Sequence, residues 1–69
     1  MLLSIVIPVL NEAQTIPLMV SRLRDTLDGL MWEVIFVDDG STDQTWSILE
    51  RAAFDDPRVK LLRFSRNFG

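Results

Sequence analysis

The sequence predicts an α/β domain in which parallel strands alternate with helices. Residues 2–9 and 34–37 are short runs rich in Ile, Val and Leu, typical of strands buried on both faces of a sheet. Each run is followed by a segment whose apolar residues recur at the spacing of a helix. Strands separated by helices pair in parallel through right-handed crossovers. The predicted order is therefore β-α-β-α-β, a parallel half-sheet of the doubly wound class.

The first helix is predicted between these two strands, with an irregular start. Asn11 is a favourable N-cap residue, and Gln14 follows three positions later, as in a capping box. Pro17 is unfavourable inside a helix, so we expect an irregular turn over residues 11–15 and a regular helix from Ile16. The apolar face of this helix is predicted to consist of Ile16, Met19, Val20, Leu23, Leu27 and Leu30.

A second helix and a third strand complete the predicted half-sheet. Ser41 and Gln44 have the spacing of another capping box, and the Asp-Asp-Pro of residues 55–57 is expected to end the helix that follows. The third strand is predicted over residues 59–65. The apolar face of this second helix is predicted to consist of Trp46, Leu49, Ala53 and Phe54.

The first strand is expected to lie at an open edge, because the usual order of such a half-sheet is 3-2-1. It is among the most apolar segments of the chain, and a complete protein rarely leaves such an edge bare. A chain of 69 residues is also marginal as an independent domain. We therefore expect residues 1–69 to be the incomplete N-terminal part of a larger domain, in which a fourth strand covers this edge. The isolated piece is expected to self-associate through it.

Composition excludes several classes of site. The chain is 48% hydrophobic and 25% charged, as in an ordinary globular protein. It contains no Cys and no His, which removes disulfides, thiolate and imidazole metal sites, and histidine-dependent catalysis. No apolar run approaches the roughly 18 residues of a membrane-spanning helix, so this piece is expected to be soluble.

The charge is unevenly distributed along the chain. All ten acidic residues lie within residues 1–57, whereas residues 58–69 carry four cations and no acid. That basic segment is interpreted either as a solvated strand or as a surface that faces phosphates or an anionic membrane. We expect no nucleic-acid partner, because the net charge is −3 and aromatic residues do not alternate with basic ones.

Two loops follow the carboxyl ends of the first two predicted strands, where ligands bind in doubly wound sheets. The first, residues 8–12, contains no glycine and so lacks the pyrophosphate cradle of a dinucleotide-binding domain. The second, residues 38–43, reads DDGSTD. It is interpreted either as a turn in which Ser41, Thr42 or Asp43 caps a helix, or as carboxylates that accept hydrogen bonds from a ribose or a base. A calcium loop that starts at Asp39 is disfavoured, because its sixth position is not glycine.

Three stretches of the chain together resemble a known family. They are SIVIPVLNE at residues 4–12, VDDGSTD at residues 37–43 and RNFG at residues 66–69. In order and spacing they resemble the opening of a family 2 glycosyltransferase, and more narrowly its polyprenyl-phosphate (dolichol- or bactoprenol-phosphate) hexosyltransferase branch. The resemblance covers all 69 residues and implies the N-terminal, nucleotide-binding half of a GT-A domain, which is Rossmann-like. It also implies inverting transfer of a hexose from a UDP- or GDP-sugar to a polyprenyl phosphate at the cytoplasmic face of the membrane.

The resemblance also assigns residues to a base and ribose pocket, with one acid reading the base or the ribose. Leu10 stands where the family often has an aromatic residue, and Arg66 is placed near the donor or acceptor phosphates. The residues that line or close the pocket are Pro8, Leu10, Glu12, Val37, Asp38 and Asp39.

The same resemblance places the metal site on a later strand. The family's Asp-x-Asp motif does not occur in this chain, so the ligands of Mg²⁺ or Mn²⁺ are expected beyond residue 69 of the full-length enzyme. No catalytic residue is assigned within residues 1–69, and this piece is expected to be inactive alone and to bind nucleotide weakly. The alternatives are a non-catalytic α/β interaction module and another Rossmann-like transferase, such as a methyltransferase.

Overall fold

A computed structural model describes residues 1–64, which form a three-stranded parallel sheet and two helices. The elements occur in the predicted order, and the central strand of the sheet is the second, so the first strand lies at an edge. The predicted fold class, an α/β fold with a β-α-β-α-β parallel half-sheet, is therefore confirmed. The elements are β1 (Leu3–Val9), α1 (Ile16–Thr26), β2 (Trp32–Asp38), α2 (Thr45–Asp55) and β3 (Val59–Arg63). Within residues 1–64, no helix is both long and apolar enough to cross a membrane.

Both helices pack on the same face of the sheet. Successive right-handed crossovers that advance in one direction across a sheet place their helices on one side. Alternate residues of β2 are accordingly buried, and they form one core with residues from both helices. The buried hydrophobic residues are Val9, Ile16, Val20, Trp32, Val34, Phe36, Leu49 and Val59.

The opposite face of the sheet is not covered by described residues. Val6 of β1 is 62% exposed and Leu62 of β3 is 48% exposed, while Ile35 and Val37 of β2 are half-buried. The prediction that the first two strands are buried on both faces is therefore wrong for residues 1–64. Their continuous apolar character does not reveal that both helices lie on one side.

The start of α1 confirms one prediction and overturns another. The helix begins at Ile16 with Pro17 in its first turn, as expected. Thr15 occupies the N-cap position and makes no capping bond with its side chain, so Asn11 is not the cap. The Asn11 side chain instead accepts a hydrogen bond from the backbone N–H of Thr42, in the other loop.

The start of α2 also differs from the predicted capping box. The helix begins at Thr45, and the side chain of Gln44 at the N-cap position makes no capping bond. Asp43 instead accepts a hydrogen bond at 2.9 Å from the backbone N–H of Thr45. Ser41 serves the opposite loop, where its hydroxyl accepts a bond from the N–H of Asn11. Of the three residues proposed to begin this helix, only Asp43 has that role.

The remaining boundaries either agree with those predicted or differ from them by a few residues. The helix α2 ends at Asp55, as the Asp-Asp-Pro sequence indicated. Strand β3 ends at Arg63, and residue 65 lies outside the described part of the chain. Two residues expected on apolar helix faces are exposed, Leu30 by 58% and Phe54 by 86%. Leu30 follows the end of α1, and Phe54 lies away from the core on the last turn of α2.

A charged cluster joins elements at the opposite end of the sheet from the two loops. Asp56, just after α2, is buried and accepts hydrogen bonds from Arg24 of α1 at 3.0 Å and from Arg58 at 2.9 Å. The guanidinium of Arg58 lies 4.2 Å from the ring centroid of Trp32 at the start of β2. Arg58 of the basic segment is thus engaged within the fold.

Candidate functional site

The two loops that follow β1 and β2 lie side by side. In the parallel register Val9 pairs with Asp38, so both strands end at the same level. The pairing extends one step into the loop, where the backbone N–H of Asp39 donates to the carbonyl of Val9 at 3.2 Å. The carboxyl edge of the sheet, where ligands bind in folds of this class, is therefore built from these loops.

Asn11 links the first loop to the second through both its backbone and its side chain. Its Oδ1 accepts hydrogen bonds from the backbone N–H groups of Thr42 at 2.8 Å and Asp43 at 3.3 Å. Its own backbone N–H donates to the hydroxyl of Ser41 at 2.9 Å. These bonds satisfy backbone donors that precede α2, which have no partner inside the helix. Neither loop is therefore positioned independently of the other.

A second link fixes Glu12. Its backbone N–H donates at 2.9 Å to the hydroxyl of Thr45, the fully buried first residue of α2. That hydroxyl in turn donates to the carboxylate of Asp43, and this bond lowers the pKa of Asp43 below its ordinary value. The carboxylate of Glu12 also accepts a hydrogen bond from Thr15 at 3.3 Å. The backbone position of Glu12 is thus determined by α2.

The two adjacent acids of the second loop occupy different environments. Asp38 is fully buried, and its Oδ1 accepts a hydrogen bond from the backbone N–H of Ser41 at 2.9 Å. Its Oδ2 is also buried and has no hydrogen-bond partner among residues 1–64. Asp39 is half-buried at the carboxyl edge of the sheet. Asp38 therefore supports the turn from within, whereas Asp39 borders the surface.

The other residues assigned to the pocket lie on two sides of the sheet. Pro8 and Val37 are register partners on the face that the helices leave uncovered. Leu10 is 52% exposed and Glu12 is also exposed in the first loop. Asp38 instead belongs to the helix-covered face, so the structure gathers these residues at one edge without joining all of them in one cavity. The prediction for Arg66 lies outside the described residues.

An open groove of about 770 Å³ lies beside the first loop, on the side of the helices. It runs between residues 11–15 and the start of α2. Of the residues assigned to the pocket, only Glu12 borders it. The groove is therefore distinct from the uncovered face that holds Pro8 and Val37.

The sequence interpretation did not identify the roles of Asn11 and Thr45. A helix-start pattern explained Asn11 without any contact between the loops, and Thr45 was given no role in the sequence interpretation. The one available signal was the position of Asn11 in the loop two residues after a strand, where Asn tolerates positive φ and reaches nearby backbone groups. Its φ of 52° is indeed in the left-handed region.

Comparison with known proteins identifies the family. The family model for glycosyl transferase family 2 matches residues 4–69. An uncharacterized glycosyltransferase, YkcC of Bacillus subtilis (strain 168), is 46% identical over 68 residues and is matched by 96% of this chain. A prophage bactoprenol glucosyl transferase homolog of Escherichia coli (strain K12) is 42% identical over 71 residues and is matched by the whole chain.

The name of a third relative refers to a different sugar. An undecaprenyl-phosphate 4-deoxy-4-formamido-L-arabinose transferase of Pectobacterium carotovorum is 38% identical over 69 residues and is matched by 96% of the chain. The chain spans only 21% of this relative and of YkcC, and 23% of the Escherichia coli protein. Because the family match extends over nearly all of the sequence, the chain belongs to glycosyl transferase family 2.

Proposed function

We propose that residues 1–69 form the donor-nucleotide-binding part of an inverting glycosyltransferase. The enzyme moves a hexose from a UDP- or GDP-sugar to a polyprenyl phosphate at the cytoplasmic face of the membrane. Family membership supports the transfer reaction, and the names of the bactoprenol and undecaprenyl-phosphate relatives support the acceptor. The short coverage of those relatives supports a longer protein of which this chain is a part.

The observation that carries the proposal is the joining of two polar loops at the carboxyl edge of a parallel sheet. Carboxylates at that edge accept hydrogen bonds from ribose hydroxyls or from a ring N–H, and an exposed Leu10 offers an apolar wall for a base. Between the adjacent acids we assign the contact with the nucleotide to Asp39, because the buried Asp38 has no exposed surface. Glu12 is the second acid of this proposed site.

The reaction we propose is a direct displacement at the anomeric carbon. A phosphate oxygen of the acceptor forms the new bond to that carbon, while the bond to the nucleoside diphosphate breaks from the opposite face. An acceptor phosphate is already anionic at neutral pH, so its attack depends less on a strong general base than the attack of an alcohol does. The binding part described here contributes by holding the donor in position for that attack.

A divalent cation is not assigned to the described residues. Within residues 1–64, no three acidic side chains lie close enough together to hold a metal ion. As the resemblance implies, we propose that the ligands of Mg²⁺ or Mn²⁺ lie beyond residue 69 of the full-length enzyme, and no step is assigned to a metal. When bound, such a cation neutralises charge on the departing diphosphate. The contact of Arg66 with phosphates is part of the proposal.

The proposal predicts that Asp39→Asn in the full-length protein weakens donor binding about tenfold without unfolding the domain, since an accepting carboxylate becomes an amide. Calorimetric titration with UDP and GDP measures the affinity, and thermal denaturation measures the stability. Asp25→Asn is the matched control, because it removes the same charge from an exposed position on α1. If Asp39→Asn leaves donor affinity unchanged, the loop has only a structural role, and the non-catalytic alternative is favoured.

A further inference from the structure

Asn11 combines two features that few residue types provide together. Its backbone has a φ of 52°, in a region that Asn and Asp tolerate better than other residues with a side chain. Its Oδ1 accepts the backbone N–H groups of Thr42 and Asp43 from the second loop. Glycine would keep this φ without the acceptor, and alanine would provide neither feature.

The residues on either side of Asn11 are those whose positions matter to the proposed site. Leu10 and Glu12 are both exposed and flank Asn11 in the chain. The backbone at Asn11 sets the direction in which the chain runs between them. Its bonds to residues 41–43 set the distance from this segment to Asp39. Hydrogen bonds within the chain thus hold the two loops together, which lowers the cost of ordering them when a ligand binds.

We propose that Asn11 is a positioning residue for the nucleoside diphosphate part of the donor. It holds the two strand-end loops in their binding arrangement through the Oδ1 acceptor, and it does not itself contact the nucleotide. This inference rests on the function proposed above. The inference assigns to Asn11 an effect on binding that is exerted through the positions of Leu10, Glu12 and Asp39. It also explains why an Asn occupies the loop after β1.

Three variants of the full-length protein separate the acceptor from the backbone conformation. Asn11→Gly keeps the positive φ and removes Oδ1, whereas Asn11→Asp keeps both an acceptor and tolerance of this φ. Gln14→Gly is the matched control, since it places a glycine in the same loop at an exposed residue whose side chain makes no bond to the second loop. Affinity for UDP and GDP is measured in about 0.5 M salt, which screens the charge added by Asp.

We expect Asn11→Gly to weaken nucleotide binding about tenfold, with Asn11→Asp within about threefold of the wild type and Gln14→Gly unchanged. The donor KM should rise more than kcat falls, and the KM for the acceptor should stay constant. Amide hydrogen exchange without ligand should show lost protection at Thr42 and Asp43 in Asn11→Gly alone.

The outcomes separate this inference from the function on which it rests. Wild-type protein that binds neither UDP nor GDP would overturn the proposed function, and this inference with it. Wild-type binding that Asn11→Gly leaves intact would overturn the inference alone. Equal losses in Asn11→Gly and Asn11→Asp would also overturn it, because the Oδ1 acceptor would then not be the group that matters.

Discussion

Asp56 shows how a single buried carboxylate connects four elements. It lies between α2 and β3, and it receives Arg24 from α1 and Arg58, which itself stacks on Trp32 of β2. The hydrogen bonds from Arg58 hold the pKa of Asp56 well below its ordinary value of 3.8. Because the folded state binds a proton less readily than the unfolded state, this carboxylate stabilises the fold wherever it is ionised in both states.

The stability that Asp56 contributes should therefore depend on pH. It is complete above the ordinary pKa near 3.8 and is lost as the pH falls through the lower pKa of the folded state. Asp56→Asn should lower the free energy of unfolding by about 2 kcal/mol at pH 7, because the bonds to two arginines lose their charge. The difference from the wild type should shrink on acidification below about pH 4. Urea unfolding at a series of pH values measures both effects.

The neighbouring Asp55 provides the control for this prediction. Asp55 pairs with Arg51 at 3.2 Å on the surface of α2, where the two side chains are 48% and 78% exposed. Asp55→Asn should change stability by no more than about 0.5 kcal/mol at any pH, since exposed ion pairs contribute little. A loss in Asp56→Asn that stays constant across the pH series would contradict the assigned role of its charge.

Among the elements, β1 is an edge strand with several exposed apolar side chains. It pairs with β2 along one side, and within residues 1–64 no strand pairs with its other side. Several of its apolar side chains are exposed, including Leu3 by 44% and Val6 by 62%. An apolar edge of this kind is a template for pairing with another chain.

We therefore predict that the 69-residue chain self-associates through the edge of β1. Val6→Lys should shift it towards monomer, because a charged side chain on an edge strand opposes pairing. Leu62→Lys is the control, since it places the same charge on the same uncovered face but on β3. Sedimentation over a range of concentrations distinguishes the states. A wild-type chain that stays monomeric at high concentration would refute the prediction. If both variants dissociate the assembly equally, the edge of β1 is not the specific interface.

At the scale of the whole molecule, charge limits what this chain binds alone. Residues 1–57 contain all ten acids, and a nucleoside diphosphate carries about two to three negative charges. Two of the described arginines, Arg24 and Arg58, are engaged by Asp56, and Arg63 lies 4.9 Å from the ring centroid of Trp46. Arg51 also pairs with Asp55, so four of the six cations among residues 1–64 are engaged within the fold, which limits the positive charge available to the phosphates of a donor.

We predict that residues 1–69 in isolation bind UDP or GDP more weakly than the micromolar range and transfer no sugar. Calorimetric titration in the presence of Mg²⁺ or Mn²⁺ measures the affinity, and the full-length protein under the same conditions is the control. Micromolar binding by the isolated chain would show that its own residues are sufficient for the nucleotide, contrary to the prediction.

Most of the fold could be predicted because its signals are local. The spacing of Ile16, Val20 and Leu23 identifies the apolar face of α1, and the proline at position 17 locates the first turn of that helix. The apolar runs identify the strands, but they could not show that one face of the sheet is uncovered. The uncovered face follows from the strand order together with right-handed crossovers, which place both helices on one side, and not from the apolar character of the strands.

The order of elements, the parallel sheet and the two polar loops at one of its edges could be predicted, because they follow from periodicity along the chain. The role of each loop residue could not, because it depends on contacts between distant parts of the chain. Asn11 and Thr42 are 31 positions apart, and they meet because the register of β1 and β2 brings the ends of both strands to the same level. The adjacent residues Asp38 and Asp39 have similar side chains, yet the alternation of β2 buries the first beneath the turn and leaves the second at the edge.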